Sequence, residues 1–258
     1  MISERAFAKS FASFWQELVP LLTPRFVGLF NEAYEKTLVD ETGAPLRAVP
    51  IGSGTRADIV AEFAFWGARL LREGGRAPCG LLDDPAIVQA ASRKAFEVVQ
   101  QYEGVKPEVL RPLLPTELRE GQALAKNYAS LFRACDPVGN IDFGPRFQGC
   151  GFLNAAEGDL GIDGTLVEVK TTTRKVGGKD LRQLITYLAL DAGAGRHRWN
   201  HISVFNPRRG TLHSAEADAL LLRISGGKPR VDVLRELVEF VQTTELVNDP
   251  DLLVLLCQ

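Results

Sequence analysis

The chain has 258 residues, 45% of them hydrophobic and 24% charged, and a formal net charge of -2. That is the profile of a soluble globular protein with one large domain, or a domain with an extension. It excludes a globally basic surface, so any patch for a polyanion must be local. Four scattered cysteines (Cys79, Cys135, Cys150, Cys257) with no CxxC pair, beside three histidines, argue against a zinc knuckle and for reduced thiols in the cytoplasm. No apolar run is long enough to span a membrane. The first residues, with Glu4, Arg5 and Lys9, do not read as a signal peptide.

Phe7, Phe11, Phe14, Trp15, Leu18 and Val19 recur at helical spacing, which predicts one helix limited by Pro20. This aromatic stripe reads as core, with a partner-binding groove as the alternative. Phe26, Leu29, Phe30, Ala33 and Tyr34 give a second stripe. The segment ETGAPLRAVPIGSGT reads as a loop. Helices are expected over Asp58–Leu71 and Pro85–Tyr102, and KPEVLRPLLP (Lys106–Pro115) as a proline-interrupted linker. The chain thus divides into an α-helical N-terminal region, 1–105, and a second domain, 106–258.

Thr116 with Glu117–Phe132 predicts an amphipathic helix. Short strands are expected at Asn140–Phe143, Phe147–Leu153, Gly158–Ile162 and Thr165–Thr172. A helix follows over Lys179–Asp191, then strands at His201–Asn206 and Thr211–Ser214 about a turn at Pro207–Gly210, and a last helix over Val231–Thr244. This order is that of a mixed α/β domain.

The stretch GDLGIDGTLVEVKTTT, Gly158–Thr173, carries the chemistry. Asp163-Gly164 is a two-residue hairpin signal, because both central residues of a type I′ turn need positive φ. The turn sets Asp159 opposite Glu168 and Glu157 opposite Lys170, with directly opposed Cβ atoms roughly 5 Å apart. Glu168 and Lys170 share one face, and Val167 and Val169 the other. Opposed carboxylates repel, and a hard divalent ion such as Mg²⁺ turns that repulsion into a site. Lys170 beside them can orient an attacking water and steady charge on a phosphate. The plain alternative is a half-exposed strand with a cross-strand ion pair.

These residues resemble the core motif of the PD-(D/E)XK nuclease superfamily. Asp159, Glu168 and Lys170 match its three positions in order, with Gly158 where the motif's name has proline. The following helix, KDLRQLITYLAL, resembles the Gln-x-x-x-Tyr helix of the RecB-like branch, through Gln183 and Tyr187. ISVFNPRRGTL is similar to the family's next core strand. The resemblance covers about Thr116 to Ser214. It implies a mixed-sheet, restriction-endonuclease-like core flanked by helices. It also implies a Mg²⁺-dependent phosphodiesterase, Mn²⁺ substituting, with metal at Asp159, Glu168 and the Val169 carbonyl and a catalytic set of Asp159, Glu168, Lys170, Gln183 and Tyr187. The helix from Thr116 would be the first core helix, with Glu117 or Glu120 as an added acid.

Nine basic residues lie between Lys170 and Arg209 against only Asp180 and Asp191. Among them Arg174, Lys175, Lys179, Arg182, Arg208 and Arg209 are the candidate contacts to a phosphate backbone. The expected partner is nucleic acid, DNA before RNA, with endo- and exo-cleavage both open. A protein partner on the N-terminal helices and an oligomer also stay open. The alternatives are a catalytically silent binding or assembly module, or the nuclease subunit of a helicase or ATPase complex. No Walker motif is present in this chain.

Overall fold

The central hairpin forms as its turn dictates. Asp163 and Gly164 take positive φ, 44° and 76°, as a type I′ turn requires. The strands on either side pair antiparallel as Ile162↔Thr165, Gly161↔Leu166 and Leu160↔Val167. This is the register expected from the turn alone.

The computed structural model describes residues 1–103, 111–135 and 141–244. In chain order the elements are α1 (Glu4–Lys9), α2 (Ala12–Leu18), α3 (Pro24–Tyr34), β1 (Glu35–Thr37), α4 (Ala57–Glu73), a 3₁₀ segment (Pro78–Asp83), α5 (Pro85–Glu103) and α6 (Pro115–Cys135). Then come β2 (Ile141–Phe143), β3 (Arg146–Phe147), β4 (Ala156–Glu157), β5 (Leu160–Ile162), β6 (Thr165–Val169), α7 (Gly178–Gly193), β7 (His201–Asn206), β8 (Thr211–Glu216), α8 (Ala217–Ile224) and α9 (Arg230–Thr243). Half of the expected linker, 106–110, and Asn140 of the expected first strand lie outside the described residues.

A six-stranded mixed sheet, in the order β1-β8-β7-β6-β5-β2, is flanked by helices on both faces. Only β6 and β7 run parallel; every other neighbouring pair is antiparallel. The two-residue period of the strands sorts their side chains. Leu160, Ile162, Val167 and Phe205 pack against Leu124, Tyr128 and Leu131 of α6 and Val60 and Ala64 of α4. Leu166, Ile202 and Val204 face the other way, onto Leu181, Leu184, Ile185 and Leu188 of α7 and the aromatic core of α1 and α2.

The structure corrects three expectations. The first helix is two, because Phe11 sits in the left-handed region at φ 55°. The break lets both short helices aim at one cluster: Phe11 stacks on Phe152 and Phe14 on Phe240. The stripe is therefore core, with Phe7, Phe11, Trp15, Leu18 and Val19 all buried. Of the expected strand over Phe147–Leu153 only Phe147 is in a strand, as the second residue of β3. The chain turns at Cys150–Leu153 instead, where Gly151 (φ 54°) lies so close to the Val241 carbonyl that no side chain would fit. Finally, β1 and α8 are elements the sequence pattern did not reveal. β1 joins the N-terminal region to the main sheet by pairing with β8. Cys79, Cys135 and Cys150 are free thiols, and Cys257 lies outside the described residues. Among the described residues no helix is long and apolar enough to cross a membrane.

Candidate active site at the end of the hairpin

The ladder of β5 and β6 stops at Leu160↔Val167. Asp159 lies just beyond it, and its Oδ2 accepts the Val169 N–H at 2.6 Å. The carboxylate thus caps the free amide at the end of β6 instead of facing Glu168 as a ladder partner. Glu157 does not oppose Lys170. It pairs with Arg146 in the β3–β4 ribbon and lies exposed, since the chain leaves the main sheet at Gly158.

Glu168 is buried, and its Oε1 accepts Lys170 Nζ at 2.6 Å. The same ammonium donates to Gln183 Oε1 at 2.9 Å. Gln183 Nε2 then lies 3.0 Å from the Tyr187 hydroxyl and 3.3 Å from Glu4 Oε1, and the hydroxyl donates to Glu4 Oε1 at 3.1 Å. Gln183 and Tyr187 are one helical turn apart, so both project from one side of α7. Tyr187 is held flat by stacking on Phe147 at 4.8 Å. The five residues of the expected catalytic set are thus together, and Glu168, Lys170, Gln183 and Tyr187 form one continuous hydrogen-bonded line. Glu4 of α1 ends that line. Its only mark in the chain is an acid at the start of a helix.

Asp159, Val169 and Lys170 open onto a cavity of about 290 Å³, with Thr171, Thr172, Tyr128, Phe65, Arg5, Asp58 and Glu62 among its other walls. Neither Glu117 nor Glu120 takes part. Glu117 is sealed against Arg56, and Glu120 pairs with Arg208 and accepts from the Gly52 N–H. The acid that comes in from a neighbouring helix is Glu62 of α4. Its signal in the sequence was an acid one turn after Asp58, which puts both on one face of the helix.

The electrostatics are those of crowded negative charge. Burial lifts the Glu168 carboxyl to about 7, and the Asp159 charge adds to the rise against the pull of Lys170 and Arg5. Burial also raises Asp159, opposed by the Val169 N–H, Lys170 and Arg5. Glu62 is raised by burial too, with Arg5 opposing. Charge that is desolvated and under-compensated in this way is what a bound cation relieves. Among the described residues no three or more His, Cys, Asp or Glu side chains are grouped closely enough to hold a metal. Mg²⁺ needs no such cluster, because it binds through one or two carboxylates and keeps several waters; the two raised carboxylates at the hairpin are Asp159 and Glu168.

The six candidate phosphate contacts divide. Arg174 is tied to Asp180 through both terminal guanidinium nitrogens, and Arg209 donates from Nη2 alone to both Glu35 oxygens, at 3.1 and 3.3 Å. Arg208 is buried at 1% exposure against Glu120 and the Val49 carbonyl, away from any surface. Arg182 lies over the Trp15 ring. Lys175 and Lys179 are exposed.

No protein-family model matches the chain, and no curated protein matches it either.

Proposed function

We propose that the protein is a metal-dependent nuclease of the PD-(D/E)XK kind, hydrolysing phosphodiester bonds, DNA being the first substrate to test. The observation that carries this reading is Lys170. Its ammonium is suspended between Glu168 and Gln183 at the mouth of a cavity, beside a second carboxylate, Asp159. A structural ion pair needs neither the second raised carboxylate nor the cavity.

The order of elements gives further support. Helix α6, the antiparallel strands β2, β5 and β6, helix α7 and the parallel strand β7 follow the sequence expected of a restriction-endonuclease-like core. In this reading Asp159, Glu168 and the Val169 carbonyl hold Mg²⁺, or Mn²⁺ in its place. When bound, the ion supplies Lewis acidity toward a phosphoryl oxygen and lowers the pKa of a bound water. Lys170 orients the attacking water and steadies negative charge as it gathers on the phosphate. Gln183 keeps the ammonium in place, and Tyr187 keeps Gln183. Arg5 and Lys170 are the cations lining the cavity that can meet a phosphate oxygen.

The test is a panel of linear, circular and single-stranded DNA and RNA, incubated with Mg²⁺, Mn²⁺ or EDTA. A nuclease of this kind cuts with either metal, does not cut in EDTA, and does not cut as Glu168→Ala. Cutting that persists in EDTA, or no cutting of any substrate by folded protein, contradicts the proposal.

A further inference from the structure

Glu4 is a buried acid, 9% exposed, that contributes no wall to the cavity. Its contacts nevertheless reach the centre of the site. A carboxylate can only accept hydrogen bonds, whereas a glutamine amide accepts at one end and donates at the other. Glu4 Oε1 accepts a hydrogen bond from the Tyr187 hydroxyl at 3.1 Å and another from Gln183 Nε2 at 3.3 Å. With its O–H turned to Glu4, the Glu157 carbonyl being farther off at 3.4 Å, the Tyr187 oxygen is left as an acceptor for the same Nε2, at 3.0 Å. Both neighbours on this side therefore accept, and they draw the donating end of the amide toward themselves.

The accepting end, Oε1, is thereby turned to Lys170 Nζ at 2.9 Å. The opposite orientation sets the amide NH₂ against an ammonium and the amide oxygen against a carboxylate. Each of those contacts leaves a buried polar atom unpaired, which is costly in a desolvated site. Gln183 is 3% exposed and Tyr187 1%, so water does not offer an easy substitute.

We propose that Glu4 is a positioning residue: by fixing the amide of Gln183 it holds the Lys170 ammonium on its second acceptor and aims it at the cavity. The catalytic meaning of this rests on the nuclease reading, whereas the geometric claim does not. Two consecutive residues of α1, Glu4 and Arg5, then serve the site. Glu4 does so from behind α7, and Arg5 from the cavity wall.

The experiment reads Lys170 directly. Wild type, Glu4→Met, Glu4→Ala and Glu4→Gln are pulsed with labelled acetic anhydride, and acetylation of each lysine is followed by mass spectrometry, after thermal unfolding has established which variants fold. Losing one net hydrogen bond corresponds to a roughly fivefold faster labelling of Lys170 in Glu4→Met and Glu4→Ala. Glu4→Gln keeps an accepting oxygen and labels as wild type. Lys175 and Lys179 serve as references and do not change. A wild-type rate at Lys170 in a folded Met or Ala variant overturns the proposal, as does an equal rise in Glu4→Gln. Loss of the fold in both Met and Ala variants also overturns a role confined to positioning. The same proteins are then tested on DNA, where kcat falls about tenfold in Glu4→Met with KM unchanged. If wild type cuts nothing while the labelling pattern holds, the nuclease reading fails and the role of Glu4 stands.

Discussion

Glu117 is a fully buried acid whose charge the fold uses for stability, and replacing it with glutamine tests how much. Its Oε1 accepts the Arg56 backbone N–H at 3.1 Å and the Nε at 3.0 Å, and its Oε2 accepts the Arg56 Nη2 at 2.7 Å and the Leu114 N–H at 2.8 Å. Hydrogen bonds from Arg56 lead in pulling the carboxyl down from 4.5 to about 2. At about 1.4 kcal/mol per pKa unit, the ionised form stabilises the fold by roughly 3 kcal/mol at neutral pH. The folded-state value is depressed, so this contribution is fully present above pH 4.5 and is lost as pH falls toward 2. Linkage leaves about 1 kcal/mol of it at a pH near ~3. Urea unfolding of wild type and Glu117→Gln at pH ~7 and pH ~3 measures the difference at both ends. The expected gap is roughly 3 kcal/mol at the higher pH, shrinking by more than half at the lower. A gap that is the same at both pH values means that the loss comes from packing and not from charge.

Other perturbations have equally definite outcomes. Burial raises Glu168 to about 7, so metal-free protein loses stability as pH climbs from 4.5 through 7. Glu168→Gln removes that loss and raises the metal-free Tm at alkaline pH while abolishing cleavage, a comparison made by calorimetric scans in EDTA. Mg²⁺ raises the wild-type Tm, EDTA reverses the rise, and Asp159→Asn removes it. A Cβ at Gly161 would lie 2.5 Å from Trp199 Cη2, so Gly161→Ala overpacks the sheet and costs about 1–3 kcal/mol in chemical denaturation. Arg208→Ala removes the cation facing half-buried Glu120, which keeps the Gly52 N–H and the Thr55 hydroxyl, and costs about 3 kcal/mol. Lys179→Ala leaves the Tm unchanged but weakens DNA binding and flattens its salt dependence, read by fluorescence anisotropy.

The hairpin was the most legible part of the chain, because Asp-Gly fixes both the turn and the register, and the period of two then sorts Glu168 and Lys170 from Val167 and Val169. α7 was legible for a similar reason: its apolar stripe and its Gln183–Tyr187 pair use different sides of one helix. What hid was set by tertiary contact. Glu62 and Glu4 reach the site because α4 and α1 pack there; the Asp58–Glu62 spacing puts two acids on one helix face but does not say that the face is buried. The same holds for the basic run. Charge density along the chain marked Arg174, Arg208 and Arg209 as a surface for phosphate, yet Asp180, Glu120 and Glu35 pair with them. Two of those three acids lie in the N-terminal half or in α6, far away in sequence. The break at Phe11 was illegible because a left-handed phenylalanine is disfavoured locally and is held there by aromatic neighbours from two other parts of the chain.

In the proposed nuclease Lys170, Glu168 and Asp159 act together on a phosphodiester. The decisive measurement is single-turnover cleavage of the best DNA or RNA substrate in Mg²⁺, by wild type and Lys170→Ala at matched folded fraction. The expected rate constant is lower by a factor of about a hundred or more, the scale of losing one charge-stabilising group, with substrate affinity little changed. Equal rates in the two proteins would contradict that joint action and place the chemistry elsewhere.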